Sequence, residues 1–173
     1  MKRSYWPMLA VGLAFCAAGV WFGARQFQSG PAAPGAVQQF YSRTMPDAAG
    51  KPAEMKQWQG RPLVLNFWAT WCAPCVEEMP ELTTLQKELA SRNVQVLGIG
   101  IDSPANIGAF AEKYKIGYPL YVAGMEGSEL SRQLGNQAGG LPFTVLVDVA
   151  GKVRKTYLGR LKMDVLRRDI AAL

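Results

Sequence analysis

Cys72 and Cys75 are separated by Ala73 and Pro74, and Glu78 follows three residues after the second cysteine. Two thiols at this spacing can close into a disulfide and reopen. They exchange electrons with a partner when a thiolate attacks a disulfide sulfur. A free thiol has a pKa of about 8.5, so attack near neutral pH needs surroundings that favour the thiolate. The segment before the pair, Leu63 to Ala69, is strand-forming and almost wholly apolar. After it, Val76, Met79, Leu82, Leu85 and Leu89 recur at helical spacing. Strand, turn and helix in that order put Cys72 at or beside a helix N-terminus. Unpaired N–H groups and the positive end of the helix dipole favour a negative sulfur there. Cys75, one turn on, can close back on Cys72 and release a bound partner. Glu78 falls on the same helix face as Cys75. It is either a partner of that thiol or a solvated acid near the helix start.

Other uses of two cysteines fit less well. The chain has no histidine, which excludes His-ligated metal or haem and imidazole acid–base catalysis. A zinc site would lack two ligands. Haem attachment would need His where Val76 stands, and a thioredoxin-fold copper chaperone would need a longer spacing and a His. A peroxidase of the peroxiredoxin type wants Thr where Ala69 stands. A structural staple is poorly served by a pair at a helix start. Neither a cofactor nor a metal is expected.

The stretch Phe67-Trp68-Ala69-Thr70-Trp71-Cys72-Ala73-Pro74-Cys75 resembles the active site of thioredoxin-like proteins. Val76-Glu77-Glu78-Met79-Pro80-Glu81-Leu82 is similar to the TlpA/ResA branch, the membrane-anchored extracytoplasmic thiol–disulfide oxidoreductases. The likeness runs from about Arg61 to near the C-terminus. It implies a mixed sheet flanked by helices, extra strands ahead of the core, and a helix–strand insertion near residues 102–122. It also implies that Leu141–Pro142 is a cis peptide facing the cysteines, where a backbone edge could pair with an extended partner chain. Phe143 stands where many members carry Thr. The expected partner-facing residues are Trp71, Ala73, Pro74, Leu141 and Pro142. Thioredoxin carries a buried Asp where this chain has Asn66, which cannot take a proton, and the branch has Glu at the place of Glu78. Glu78 is therefore the candidate proton shuttle for Cys75, with its pKa raised by partial burial.

The elements around these residues follow from pattern. Strands are expected over Pro62–Ala69, Val94–Ile101, Tyr118–Val122, Phe143–Asp148 and Val153–Leu158. Helices are expected over Pro74–Arg92, from Ser103 as N-cap, over Glu129–Leu134 and over Met163–Leu173. Ile107, Phe110, Ala111 and Tyr114 would form one apolar face; Val165, Leu166, Ile170 and Leu173 another. Pro80 should kink its helix. Phe67 and Trp68 read as packing; Trp71 reads as packing or as a cover for the rim. Gln38 to Met45 suggests a short strand, and Asp47 to Gly60 a loop or edge hairpin.

A length of 173 residues fits one domain with an appendage. The net charge of +6 comes partly from Lys152, Arg154, Lys155, Arg160, Lys162, Arg167 and Arg168. With no aromatic platform among them they read as a solvated face, and no nucleic acid is expected. Lys2 and Arg3 precede an uncharged run from Tyr5 to Ala24. As a helix that run would be about 30 Å long, matching a hydrocarbon core. Residues 1–27 therefore read as a signal anchor with the remainder outside the cytoplasm, and the resemblance implies that the membrane is a bacterial inner membrane. Ala17-Ala18-Gly19 is a weak cleavage pattern for the competing reading, a cleaved signal peptide. The apolar run continues past it, which favours the anchor. Cys16 reads as a buried apolar side chain. Residues 28–37 suggest a linker, and residues 38–173 the domain.

The pair encloses no His of the kind that helps strong oxidants hold a thiolate. Its potential is expected nearer thioredoxin, about −270 mV, than DsbA, about −120 mV. The resemblance implies a membrane electron donor of the DsbD or CcdA type. The expected substrates are disulfide-containing exported proteins, with apocytochrome c before haem attachment as one candidate. The alternatives are a tethered binding or chaperone module and a disulfide-forming oxidant.

Overall fold

The computed structural model describes Gly19 and residues 30–173. Apart from Gly19, the anchor expected over residues 1–27, Cys16 included, lies outside the described residues. Among those described, no helix is long and apolar enough to cross a membrane. Helix α1 (Ala36–Tyr41) is followed by a two-stranded antiparallel hairpin, β1 (Thr44–Pro46) and β2 (Pro52–Glu54), which forms its own small sheet. Then come β3 (Leu63–Trp68), α2 (Ala73–Glu88), β4 (Gln95–Gly100), α3 (Pro104–Tyr114), β5 (Leu120–Val122), α4 (Glu126–Gln133), β6 (Phe143–Val147), β7 (Val153–Leu158) and α5 (Met163–Ala171).

The main sheet has the order β5-β4-β3-β6-β7. β3, β4 and β5 are mutually parallel; β6 runs antiparallel to β3, and β7 antiparallel to β6. β3 lies at the centre, and all six of its side chains are buried, as expected of a strand covered on both faces. Its two-residue alternation divides the core. Val64 and Trp68 face α2 and α5, packing with Met79, Leu82, Leu85, Leu166 and Ile170. Leu63, Leu65 and Phe67 face the other way, packing with Phe40 of α1 and Leu130 of α4. Asn66 falls among the residues of the first face.

The expected insertion is α3 and β5, which extend the sheet at its β4 edge. Ser103 caps α3: its side chain accepts from Asn106 N at 3.2 Å, and Pro104 occupies the first turn. Gly100 lets α3 approach the sheet, because a Cβ there would collide with Ile107. α2 continues through Pro80.

The N-terminal expectations need correction. Residues 38–45 do not make one strand: α1 covers Ala36–Tyr41, and β1 begins only at Thr44. Ala36, Val37, Phe40 and Tyr41 are all buried, and their spacing makes one face of a helix but both faces of a strand. Nor is the described part of 28–37 a free linker. Gly30 N donates to Gly135 O at 2.8 Å, Ala33 N donates to Gln133 O at 2.7 Å, and the segment already enters α1 at Ala36. Tyr114 and Leu173, expected in the core, are exposed. α4 begins three residues earlier than the pattern suggested, at Glu126.

Candidate active site

The turn after β3 delivers Cys72 to the N-cap position of α2, with extended backbone. Its N–H donates to Ala69 O at 3.2 Å, and its carbonyl accepts from Val76 N at 3.1 Å. Pro74 suits the first helical turn because its missing N–H would have no partner there. Cys72 and Cys75 are joined by a disulfide, with their Cα atoms 5.3 Å apart. The two sulfurs are not equivalent in access: Cys72 is 6% exposed and Cys75 fully buried.

The Leu141–Pro142 peptide is cis. It leads into β6, whose first residue Phe143 pairs with Phe67 near the end of β3. Because these strands are antiparallel, the start of β6 and the cysteine turn lie at the same end of the sheet. Trp71 is 71% exposed and is not core packing. Beside the cysteines a cleft of about 650 Å³ is lined by Trp71, Ala73, Val76, Phe110 and Tyr114, among others. Leu141 is partly buried against both core clusters.

Glu78 is completely buried behind the pair. Its Oε1 accepts from Asn66 Nδ2 at 2.8 Å, and its Oε2 accepts from Leu161 N at 2.9 Å. Burial pushes its pKa up to about 7 against the lowering effect of those two hydrogen bonds and of Arg160. The loop that supplies Leu161 is held down by Arg160, which pairs with Glu77 and Glu81 on the exposed side of α2, both at 3.0 Å.

A second carboxylate organises the approach to Cys72. Asp102, just past β4, accepts from Thr70 Oγ1, from Thr70 N at 3.2 Å, from Ser103 N at 2.7 Å and from Asn106 Nδ2 at 2.7 Å. Burial pushes this carboxyl up, but the donors, led by the Thr70 hydroxyl, outweigh it and leave it below the usual carboxylate range. Asp102 thus ties the turn before Cys72 to the start of α3.

Trp71, Cys72, Ala73, Pro74, Leu141 and Pro142 lie at this end of the fold, with Cys75 and Glu78 on the first turns of α2. Asn66, Thr144, Leu161, Arg160 and Asp102 were not singled out for this role. Their partners are distant in sequence, as with Leu161 and Glu78, 83 residues apart. One signal was present: a lone Asn in a strand of large apolar residues must find a polar partner when buried. Among the described residues, no group of three His, Cys, Asp or Glu side chains could hold a metal ion.

A disulfide at a helix start, in a mixed sheet covered on both faces, defines the class as thioredoxin-fold thiol–disulfide oxidoreductases, and known proteins agree. The chain belongs to the AhpC/TSA family, whose model matches residues 36–156. It is 28% identical over 128 residues to the thiol-disulfide oxidoreductase ResA of Geobacillus thermodenitrificans, covering 73% of this chain and 71% of that protein. It is 31% identical over 114 residues to ResA of Bacillus anthracis, covering 65% and 64% respectively. Among solved structures it is similar to a thiol:disulfide interchange protein of the thioredoxin family from Chlorobium tepidum. That match has TM-score 0.66 and 26% identity, and covers 84% of this chain and 96% of that one. The protein is a thiol–disulfide oxidoreductase, and its substrates are proteins that contain disulfides.

Proposed function

We propose that the domain reduces disulfides in exported proteins on the outer side of a bacterial inner membrane, with residues 1–27 as its single-pass anchor. The observation that carries this reading is the unequal placing of the two sulfurs: Cys72 caps α2 at the edge of the surface, whereas Cys75 is sealed beneath it on the helix face of buried Glu78. In the reduced protein, the Cys72 thiolate attacks a substrate disulfide. One substrate sulfur leaves as a thiolate, and the other stays bound to Cys72. Cys75 then gives its proton to Glu78 and attacks the Cys72 sulfur. The bond from Cys72 to the substrate breaks, the second substrate sulfur leaves with a proton, and the Cys72–Cys75 disulfide is formed. Two electrons have passed to the substrate. Trp71, Ala73, Pro74, Leu141 and Pro142 form the rim that receives the substrate chain, and the cis peptide before β6 offers it a backbone edge.

A reductant in an oxidising compartment has to be reduced again. An anchor would hold the domain beside a membrane-embedded donor of the DsbD or CcdA type. Apocytochrome c, which must present free thiols for haem attachment, is a fitting substrate. Trapping tests this reading directly. In the full chain carrying Cys75→Ala, Cys72 should retain exported substrates as mixed disulfides, released by reductant and identified by mass. A folded variant that accumulates no covalent partner overturns it. Equilibration with glutathione tests direction: a potential below about −200 mV supports reduction, and one well above it supports a disulfide-forming role.

A further inference from the structure

Asn66 is the one polar side chain among the six of β3, and it is fully buried. Its Nδ2 donates to Glu78 Oε1 at 2.8 Å and to Thr144 Oγ1 at 3.0 Å, which uses both amide protons. Its Oδ1 is buried and has no hydrogen-bond partner. A buried acceptor left unpaired is costly, so an amide here needs a reason that an apolar side chain would not meet.

The reason emerges when the two charge states of Glu78 are compared. As a carboxylate, Glu78 only accepts, and it faces N–H donors at both oxygens: Asn66 at Oε1 and the Leu161 backbone at Oε2. As a carboxylic acid it must also donate. The Leu161 N–H still requires an acceptor at Oε2, so the proton belongs on Oε1, where it would point at the Asn66 amide protons. A half-turn of the amide removes the conflict. Oδ1 then accepts from Glu78 Oε1–H and from the Thr144 hydroxyl, which can donate as readily as accept. One end of the amide stays unpaired in either orientation, so the rotation spares Glu78 a like-against-like contact in both of its states.

We propose that Asn66 is a positioning residue for Glu78, its amide holding the carboxylate in one orientation and the carboxylic acid in the other. This rests on the reading of Glu78 as the proton carrier of Cys75. In the step served, the Cys75 S–H proton moves to Glu78 Oε1, the thiolate expels the substrate sulfur from Cys72, and that sulfur or solvent takes the proton back. Thr144 lies on β6 two residues past Pro142 and directly opposite Asn66. The same amide therefore joins the proton carrier to the strand that begins at the cis peptide.

The other groups acting on Glu78 are Arg160 from the loop after β7, Glu81 on its own helix and the buried Tyr118 ahead of β5. Of these only the Tyr118 hydroxyl could both donate and accept, and it makes no hydrogen bond to Glu78, so Asn66 is the side chain bonded to Oε1.

The test follows expulsion of thionitrobenzoate from its mixed disulfide with Cys72 in the reduced full chain, across pH. The wild type should show one inflection set by Glu78. Asn66→Leu should move it up by about one pH unit, because the amide's charge-assisted bond to the carboxylate is stronger than its neutral bond to the acid, making expulsion at pH 7 about fivefold slower. Asn66→Asp, which adds a second carboxylate against the first, should move it further. If Asn66→Leu is folded and leaves the inflection unmoved, Asn66 only fills space and the proposal fails. Should Asn66→Leu not fold, Thr144→Val removes the amide's other anchor: a smaller upward shift supports the proposal, and an unmoved inflection overturns it. Glu78→Gln separates the two claims. An inflection that survives this change sinks the reading of Glu78 itself. One that vanishes with Glu78→Gln but ignores Asn66→Leu sinks only the role of Asn66.

Discussion

Glu78 lies behind Cys75 and Asp102 lies beside the turn that leads into Cys72; both are carboxylates bound by protein donors, yet their proton affinities move in opposite directions. Glu78 has no exposure and two donors, so burial dominates and its pKa rises to about 7. Asp102 keeps part of its surface in water and has four hydrogen bonds, so the donors dominate and its carboxyl stays below its usual range. The balance of donors against lost water decides which acid can exchange protons near neutrality and which serves as a fixed anion. One acid near the cysteine pair is thus poised to exchange a proton near neutrality, and the other is a fixed anion.

That contrast can be broken in three ways. The largest expected effect is on stability against pH. The folded-state pKa of Glu78 lies above its unfolded value, so the unfolded chain binds fewer protons between about pH 4.5 and 7. The oxidised protein is favoured by this group below pH 4.5 and loses that advantage as pH rises through 7, by on the order of 3 kcal/mol. Urea unfolding at pH 5 and pH 8 measures the loss, and Glu78→Gln should flatten it; an unchanged slope would return Glu78 to the ordinary acids. Asp102→Ala should cost about 1 kcal/mol at neutral pH, because Thr70, Ser103 and Asn106 lose a charged acceptor at a partly wet site. Its sign is opposite: the folded pKa is lowered, so the stabilisation is present at neutral pH and fades as pH falls through the folded value. The difference between wild type and variant should shrink in acid, and a constant difference would mean that Asp102 acts through shape alone. The smallest effect belongs to Arg160→Ala. Arg160 lowers the Glu78 pKa from an exposed position, so the variant should move the Glu78 inflection upward. Salt should move the wild type the same way, since exposed charges are screened. Equal salt dependence in both proteins would show that the pairs with Glu77 and Glu81 have no reach into the core.

The sequence makes some of this legible and hides the rest for physical reasons. The strand–turn–helix around Cys72 is local, so spacing alone puts the sulfur at the start of α2, and three-residue spacing puts Glu78 on the helix face of Cys75. The mixed character of the sheet follows from strands and helices that alternate first and from the hairpin between β6 and β7. The stretch from Gln38 to Met45 suggests a strand only through its mixture of polar and apolar residues, whereas Ala36, Val37, Phe40 and Tyr41 carry the helical period of α1. Tyr114 shares the helical spacing of Ile107 and Phe110, but it comes at the last turn of α3, where the stripe runs out into solvent. The cradle of Glu78 could not be read from spacing, because Asn66, Thr144 and Leu161 meet only once the sheet has closed.

Unequal access to the two sulfurs has a further consequence. Any small oxidant arriving from solvent, a peroxide or an oxidised low-molecular thiol, strikes Cys72 first and leaves its adduct lying against Cys75. A sulfenic acid or a mixed disulfide at that place is displaced by the inner thiol, so the site clears such damage by closing on itself and needs no separate repair. An alkyl group cannot be displaced in this way, and a single modifying molecule on Cys72 would silence the domain for good.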